Sequence, residues 1–199
     1  MPTVDELWLG AFQRLCDATA HQFKGAMNGV ALNLEVVRSR TARGDGAEAA
    51  GLRAFADAAA SEFESVIQSA EAMLSLARTP RGATDVARIV RDVAVLAARA
   101  GQAQTRVAVD KSVERLGTSS APASAARLAI AVVLLAAVEH STDVVCDAVP
   151  DAAVTGINVT AGERGGSRIA LGEEVIAAVR SAGVHLDITE SGATITFPT

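Results

Sequence analysis

Residues 17–38 read DATAHQFKGAMNGVALNLEVVR, and their spacing decides how the rest of the chain is organised. Phe12, Cys16, Thr19, Phe23, Met27, Val30, Leu34 and Val37 recur every three or four residues, which draws one stripe along a helix, as a buried seam requires. At about 3.6 residues per turn, His21 falls about 165° from the centre of that stripe and is expected to face water. Lys24, Gly25, Asn28 and Leu32 fall on the same outer face, and Asp17 is the one carboxylate close by. An imidazole near neutral pH keeps an uncharged, nucleophilic ring nitrogen, so it can accept a phosphoryl group. The Lys24 ammonium can balance phosphoryl charge. Gly25 leaves room for a second protein to approach, and Leu32 would offer that protein an apolar contact. Each residue also has a plainer reading. An exposed helical histidine is more often a solvated side chain, Lys24 a solubilising charge, Asn28 a surface amide, and Leu32 an isolated exposed leucine.

Composition narrows the choices. Half of the 199 residues are hydrophobic, only 3% are aromatic and none is tyrosine, so the core must be built from Ala, Val, Leu and Ile. A net charge of −5 with no basic run argues against a nucleic-acid partner. The two cysteines, Cys16 and Cys146, match no metal-ligand spacing, and Cys16 on the stripe reads as a small buried hydrophobe. The start MPTVDELW lacks the basic segment of a signal peptide, and the most apolar run, 128–138, is too short to span a bilayer. A soluble, cytoplasmic protein with no membrane contact is expected.

Outward from the opening stretch, Thr3-Val-Asp-Glu6 is a capping-box pattern for a helix of about 4–41. Arg43-Gly-Asp-Gly46 makes a turn, and Asp45 with Glu48 can cap a second helix. There Leu52, Phe55, Ala59, Phe63, Val66, Ala70, Met73 and Ala77 repeat the same spacing. Two long helices joined by a short loop form an antiparallel hairpin. A lone hairpin buries too little surface, so its stripes are expected to close a four-helix bundle in a homodimer, or else to pack on the rest of the chain. Thr79-Pro-Arg-Gly-Ala83 reads as a linker that divides a hairpin domain, 1–79, from a second domain, 80–199.

Beyond the linker the spacing predicts a helix over 86–100 capped by Thr84 or Asp85, and a strand over 106–109. A nearly all-apolar helix follows from Pro122 to about His140, then strands near 144–146 and 154–160 and a glycine loop at 162–167. A helix over 173–182 closed by Gly183 precedes a final hairpin, 184–189 with 194–197. The fold class is therefore α+β: a helical hairpin followed by a mixed sheet with helices on one face. His140 is expected to serve the C-terminus of its helix, and His185 to point outward from its strand with no assigned role.

His21-Gln-Phe-Lys-Gly-Ala-Met-Asn-Gly is similar to the H-box of sensor histidine kinases, and LGEEVIAAVRSAGVHLDITESGATITFPT, with Pro198 near its end, resembles that family's last helix and hairpin. The order of elements matches over nearly the whole chain. The resemblance implies a dimeric phosphotransfer hairpin followed by a Bergerat-type ATPase-like sandwich. The sandwich departs from the family's pattern. The helix 126–141, ARLAIAVVLLAAVEHS, has Ala137 or a neighbour where the family's N-box has a magnesium-holding asparagine. The only asparagines are Asn28, Asn33 and Asn158, no Asp-x-Gly-x-Gly is present, and Gly165-Gly166 marks a loop too small for a full lid. Gln22 stands where kinases carry the carboxylate that would act as base.

A retained hairpin beside a degenerate sandwich resembles histidine phosphotransferases of the ChpT type, derived from kinases. That resemblance implies a phosphorelay, in which His21 carries a phosphoryl group between aspartates of response-regulator receivers or of hybrid-kinase receivers. Lys24 would offset charge, Asn28 would donate a hydrogen bond to the docked receiver, and Leu32 would extend the docking face. It implies no bound cofactor and no ATP, with magnesium arriving only on the receiver. A non-catalytic scaffold that binds response regulators, and a divergent kinase, are the alternatives.

Overall fold

The computed structural model describes residues 2–43, 49–78, 82–101, 105–150, 155–162, 169–189 and 192–199. The chain opens with a 40-residue helix, α1 (Val4–Arg43), and a second, α2 (Ala49–Ala77), that runs back beside it. Chemistry at the first turn sets the start of α1. The Thr3 hydroxyl accepts the Glu6 N–H at 3.2 Å, and the Glu6 carboxylate accepts the Thr3 N–H at 2.7 Å, the reciprocal pair expected from the sequence. The Thr3 backbone bond, with its hydroxyl bond second, holds the Glu6 carboxyl below the usual range. The expected turn at 43–46 and its Asp45–Glu48 cap lie outside the described residues.

The inward faces of the two helices keep Thr19 and Ala59 of the expected stripes and otherwise differ from them. In α1 the buried line is Ala11, Leu15 and Thr19; in α2 it is Ala59, Ser69, Ala72 and Leu76. Met27 and Leu34 are 46% and 53% exposed, Phe63 is 48% exposed, and Ala77 also faces out. Cys16 is only half-buried, and its desolvation raises the thiol pKa. Thr19 and Ser69 can take inward positions because each satisfies its own hydroxyl within its helix, Thr19 on the Leu15 carbonyl at 2.7 Å and Ser69 on the Ser65 carbonyl at 2.9 Å. Higher up, the Glu62 carboxylate presses on the backbone of Gly29, where a Cβ would collide with it. Apolar periodicity alone does not register a polar but self-satisfied position such as Ser69. The result is a second apolar line left open, Met27 and Leu34 on α1 with Phe63 and Ile67 on α2, continued by half-buried Phe23.

The remainder is a sheet covered on one face by helices. In order come β1 (Thr84–Asp85), α3 (Val86–Ala100), β2 (Arg106–Val109), a 3₁₀ turn (Lys111–Arg115), β3 (Thr118–Ser119), α4 (Ala123–His140), β4 (Asp143–Ala148), β5 (Thr155–Ala161), α5 (Glu173–Ser181), β6 (His185–Ile188) and β7 (Gly192–Phe197). The main sheet runs β2-β4-β5-β7-β6; β2 and β4 are parallel and the other pairs antiparallel. Strand alternation turns Val144, Cys146, Ile157, Val159, Ala193 and Ile195 toward the helices. Asp85 caps α3, as expected, by accepting the Arg88 N–H at 3.0 Å. Gly183, at φ +82°, lets the chain leave α5 in the left-handed region that other residues avoid. The two-residue ribbon β1–β3 and the 3₁₀ turn were not expected. The ribbon also holds the C-terminus, since the Ser119 hydroxyl and the Ser120 N–H both donate to the Pro198 carbonyl, at 2.6 and 3.0 Å. The glycine loop expected at 162–167 lies outside the described residues, apart from Gly162.

Helix α4 runs through the middle of this layer, with twelve of its eighteen residues buried. By length and composition α4 could cross a membrane, longer than the expected 128–138 run because the alanines before it are also helical, yet 67% of it is buried inside the fold. Cys146 is buried beneath it, and desolvation pushes its thiol up to about 12. One core joins the two halves of the chain. Ala11 and Leu15 of α1 and Ala72 and Leu76 of α2 belong to the same cluster as Val90, Val93, Leu134 and Ile157. The root of the hairpin therefore packs on its own chain, while its upper part leaves the apolar line described above open.

Candidate functional site

The upper half of α1 carries the expected residues on one exposed face. Asp17, His21, Lys24, Gly25, Asn28 and Leu32 are all exposed, and Leu32 reaches 67%. Their spacing of three, four and seven residues makes a strip. At a rise of about 1.5 Å per residue, Leu32 stands about 16 Å along the axis from His21. Among the described residues no hydrogen bond or ion pair engages the imidazole, so both ring nitrogens are open to solvent. A Cβ built on Gly25 meets nothing within 4 Å. The open apolar line of α1 lies about 100° to one side of the buried line, and His21, Gly25 and Leu32 about 100° to the other. A protein could thus cover the apolar line without touching the histidine.

A helix of 40 residues is a long lever, and a site on it is rigid only if the helix is tied down near the reacting group. Gln22 does this. Its Nε2 donates to the Arg99 carbonyl at 2.7 Å, closing one of the free carbonyls at the C-terminal end of α3. The Arg99 guanidinium in turn donates to the Ser65 hydroxyl on α2. The residue beside His21 thus clamps α1 to α3, and α3 is clamped to α2. In the sequence Gln22 stands out only for the carboxylate it replaces. No local signal could reveal a partner 77 positions away.

Ala137 is 1% exposed in the core, so its position offers no polar group to a metal. Among the described residues no three His, Cys, Asp or Glu side chains gather as metal ligands. His140 is exposed in the last turn of α4, but the capping position is Ser141, whose N–H donates to the Ala137 carbonyl at 3.0 Å. His185 is exposed on edge strand β6. Asn158 lies on the open face of the sheet, where it donates to Asp147 at 3.1 Å and accepts from Thr194 at 3.0 Å. That row is a cross-strand polar ladder.

Gly25→Ala should stabilise the protein by about 0.5–1 kcal/mol, because alanine loses less backbone entropy in a helix and the added methyl meets open space. Chemical denaturation checks this, and a loss of stability would mean that the Gly25 face is covered.

What the strip can do follows from its parts: a free nucleophile, one cation, one amide and one apolar contact on a clamped helix. No protein-family model matches the chain, and no curated protein matches it in sequence.

Proposed function

We propose that the protein is a histidine phosphotransferase of a two-component phosphorelay, of the kind derived from the sensor-kinase core, and that it acts in the cytoplasm. The observation that carries this reading is the unpartnered, exposed His21 at the N-terminal end of the strip it forms with Lys24, Gly25, Asn28 and Leu32. A ring nitrogen of His21 attacks the phosphorus of a receiver's aspartyl phosphate. The new N–P bond forms as the acyl P–O bond breaks, and the aspartate leaves as carboxylate. The second transfer reverses the step onto another receiver's aspartate. The Lys24 ammonium offsets charge on the transferring oxygens, Asn28 donates a hydrogen bond to the docked receiver, and the clamp through Gln22 keeps α1 in place for in-line approach. Magnesium belongs to the receiver.

The sandwich carries no residue expected to hold a nucleotide's adenine or its metal, so the chain would not act as a kinase. Calorimetry with ATP and magnesium should show no binding; micromolar affinity with labelling of His21 would restore the kinase reading. The decisive experiment mixes the protein with a labelled phospho-receiver, and acid-labile label on this chain supports the transferase over a non-catalytic scaffold.

A homodimer through the open apolar line of the hairpin belongs to the same proposal. Phe23, Met27 and Leu34 with Phe63 and Ile67 would close a four-helix bundle while leaving His21 outside it. Because Phe63 is 48% exposed in the single chain, Phe63→Glu should leave the fold intact and shift light scattering from dimer to monomer. A parent protein that is already monomeric sinks the bundle.

A further inference from the structure

Where the hairpin ends and the sandwich begins, the fold forms a cavity of about 340 Å³, near the lower end of the roughly 300–1,000 Å³ range of small-molecule sites. Three arginines from three elements line it: Arg78 just after α2, Arg88 on α3 and Arg127 on α4. They face two carboxylates, Asp85 and Asp92, so the wall is net cationic in a chain of net charge −5. Asp85 is already committed to capping α3.

The remaining groups are left incompletely matched. Arg88 donates through Nε to the Ser75 hydroxyl at 3.0 Å and stands only loosely, at 3.8 Å, from Asp92. Arg127 gives one terminal nitrogen to the Arg78 carbonyl at 3.0 Å and stacks 5.9 Å from the Trp8 ring centre. Its Nε is buried with no hydrogen-bond partner, and so is Oδ2 of Asp92. An unpaired buried donor and an unpaired buried acceptor on the same wall are each costly, and they do not satisfy one another. Helix α4 also begins at this wall, on Pro122 without a side-chain cap. A ligand that completes the wall must bring anionic oxygens for the guanidinium forks and a hydroxyl for Asp92.

We propose that this cavity binds a small phosphate ester, with its phosphoryl group among Arg78, Arg88 and Arg127 and a hydroxyl of its alcohol part on Asp92. Guanidinium forks match phosphate oxygens two at a time, which favours this group over a single carboxylate. The ligand spans the end of α2 and the starts of α3 and α4, so it fastens the hairpin to the sandwich. The site is independent of His21.

The test is calorimetry and thermal unfolding of the full chain at constant ionic strength, with glycerol 3-phosphate, inorganic phosphate, succinate and chloride. Glycerol 3-phosphate should bind and raise the unfolding temperature most, inorganic phosphate less, and chloride not at all. Arg78→Gln, whose side chain is exposed, and Arg88→Gln should each weaken glycerol 3-phosphate by about tenfold. Asp92→Ala should remove its advantage over inorganic phosphate. His21→Ala should bind it unchanged, which separates this site from the phosphotransfer reading. Binding no better than chloride, or binding by both arginine variants as tight as the parent's, overturns the site. Succinate as strong as glycerol 3-phosphate overturns the assignment to phosphate.

Discussion

The His21→Ala protein is expected to take up no phosphoryl group from a phosphorylated receiver while folding as the parent does. The imidazole is exposed and engages no partner among the described residues, so its removal leaves neither a cavity nor an orphaned buried group. Substitutions at such positions change stability by no more than about 0.5 kcal/mol. Lys24→Ala should slow transfer without ending it, since it removes charge balance but not the nucleophile. Gln22→Ala should also slow transfer, through the lost clamp on the Arg99 carbonyl, and Gln22→Asn should not rescue it because the shorter amide cannot reach. His140→Ala and His185→Ala should both still be labelled. The proposal fails if His21→Ala is labelled as well as the parent, and the outer-face assignment fails if that substitution unfolds the chain.

Leu15→Ala is expected to cost about 2–5 kcal/mol, the range for emptying a fully buried leucine site. Leu15 is 0% exposed and belongs to the core that α1 shares with α3 and α4. The manner of unfolding matters as much as the size of the loss. Trp8 is the single tryptophan, sits in the hairpin root, and lies 5.3 Å from the Phe12 ring. Its fluorescence therefore reports the hairpin root, while circular dichroism reports the whole chain. One shared core predicts that both signals change together, in the parent and in Leu15→Ala. Separate transitions would mean that the hairpin folds on its own and that the common core contributes little.

Much of this architecture is legible in local chemistry. The Thr3–Glu6 box, the Asp85 cap, the Pro122 start and Gly183 are punctuation that acts over three or four residues, and the helices begin and end where it says. The terminal hairpin is equally plain, because strict alternation in β6 and β7 leaves one face for the core. Legibility fails where the deciding contact is distant or where a polar residue lies inward. Ser69 and Glu62 lie inward off the expected stripes, Ser69 satisfied by the Ser65 carbonyl and Glu62 set against Gly29. The β1–β3 ribbon is two residues long on each side and carries no period to detect. For the candidate strip, the wheel was enough to group six side chains on one exposed face. It could not supply the Gln22 clamp or the arginine-lined cavity, because these join residues from helices far apart in the chain.

The shared core also has a consequence for motion. A catalytic domain that must travel to a histidine on a neighbouring helix needs a hinge, and its interface with that helix has to open cheaply. Here the joint is filled by Leu15, Leu76, Val90 and Val93, each at most 1% exposed, and the Gln22–Arg99 bond bolts the helix about two turns above Leu15. Swinging the sandwich away would expose those side chains to water at roughly 1.5–3 kcal/mol apiece. Opening that joint would be costly, so on the proposed phosphorelay reading His21 is a fixed target and the phosphoryl group comes to it.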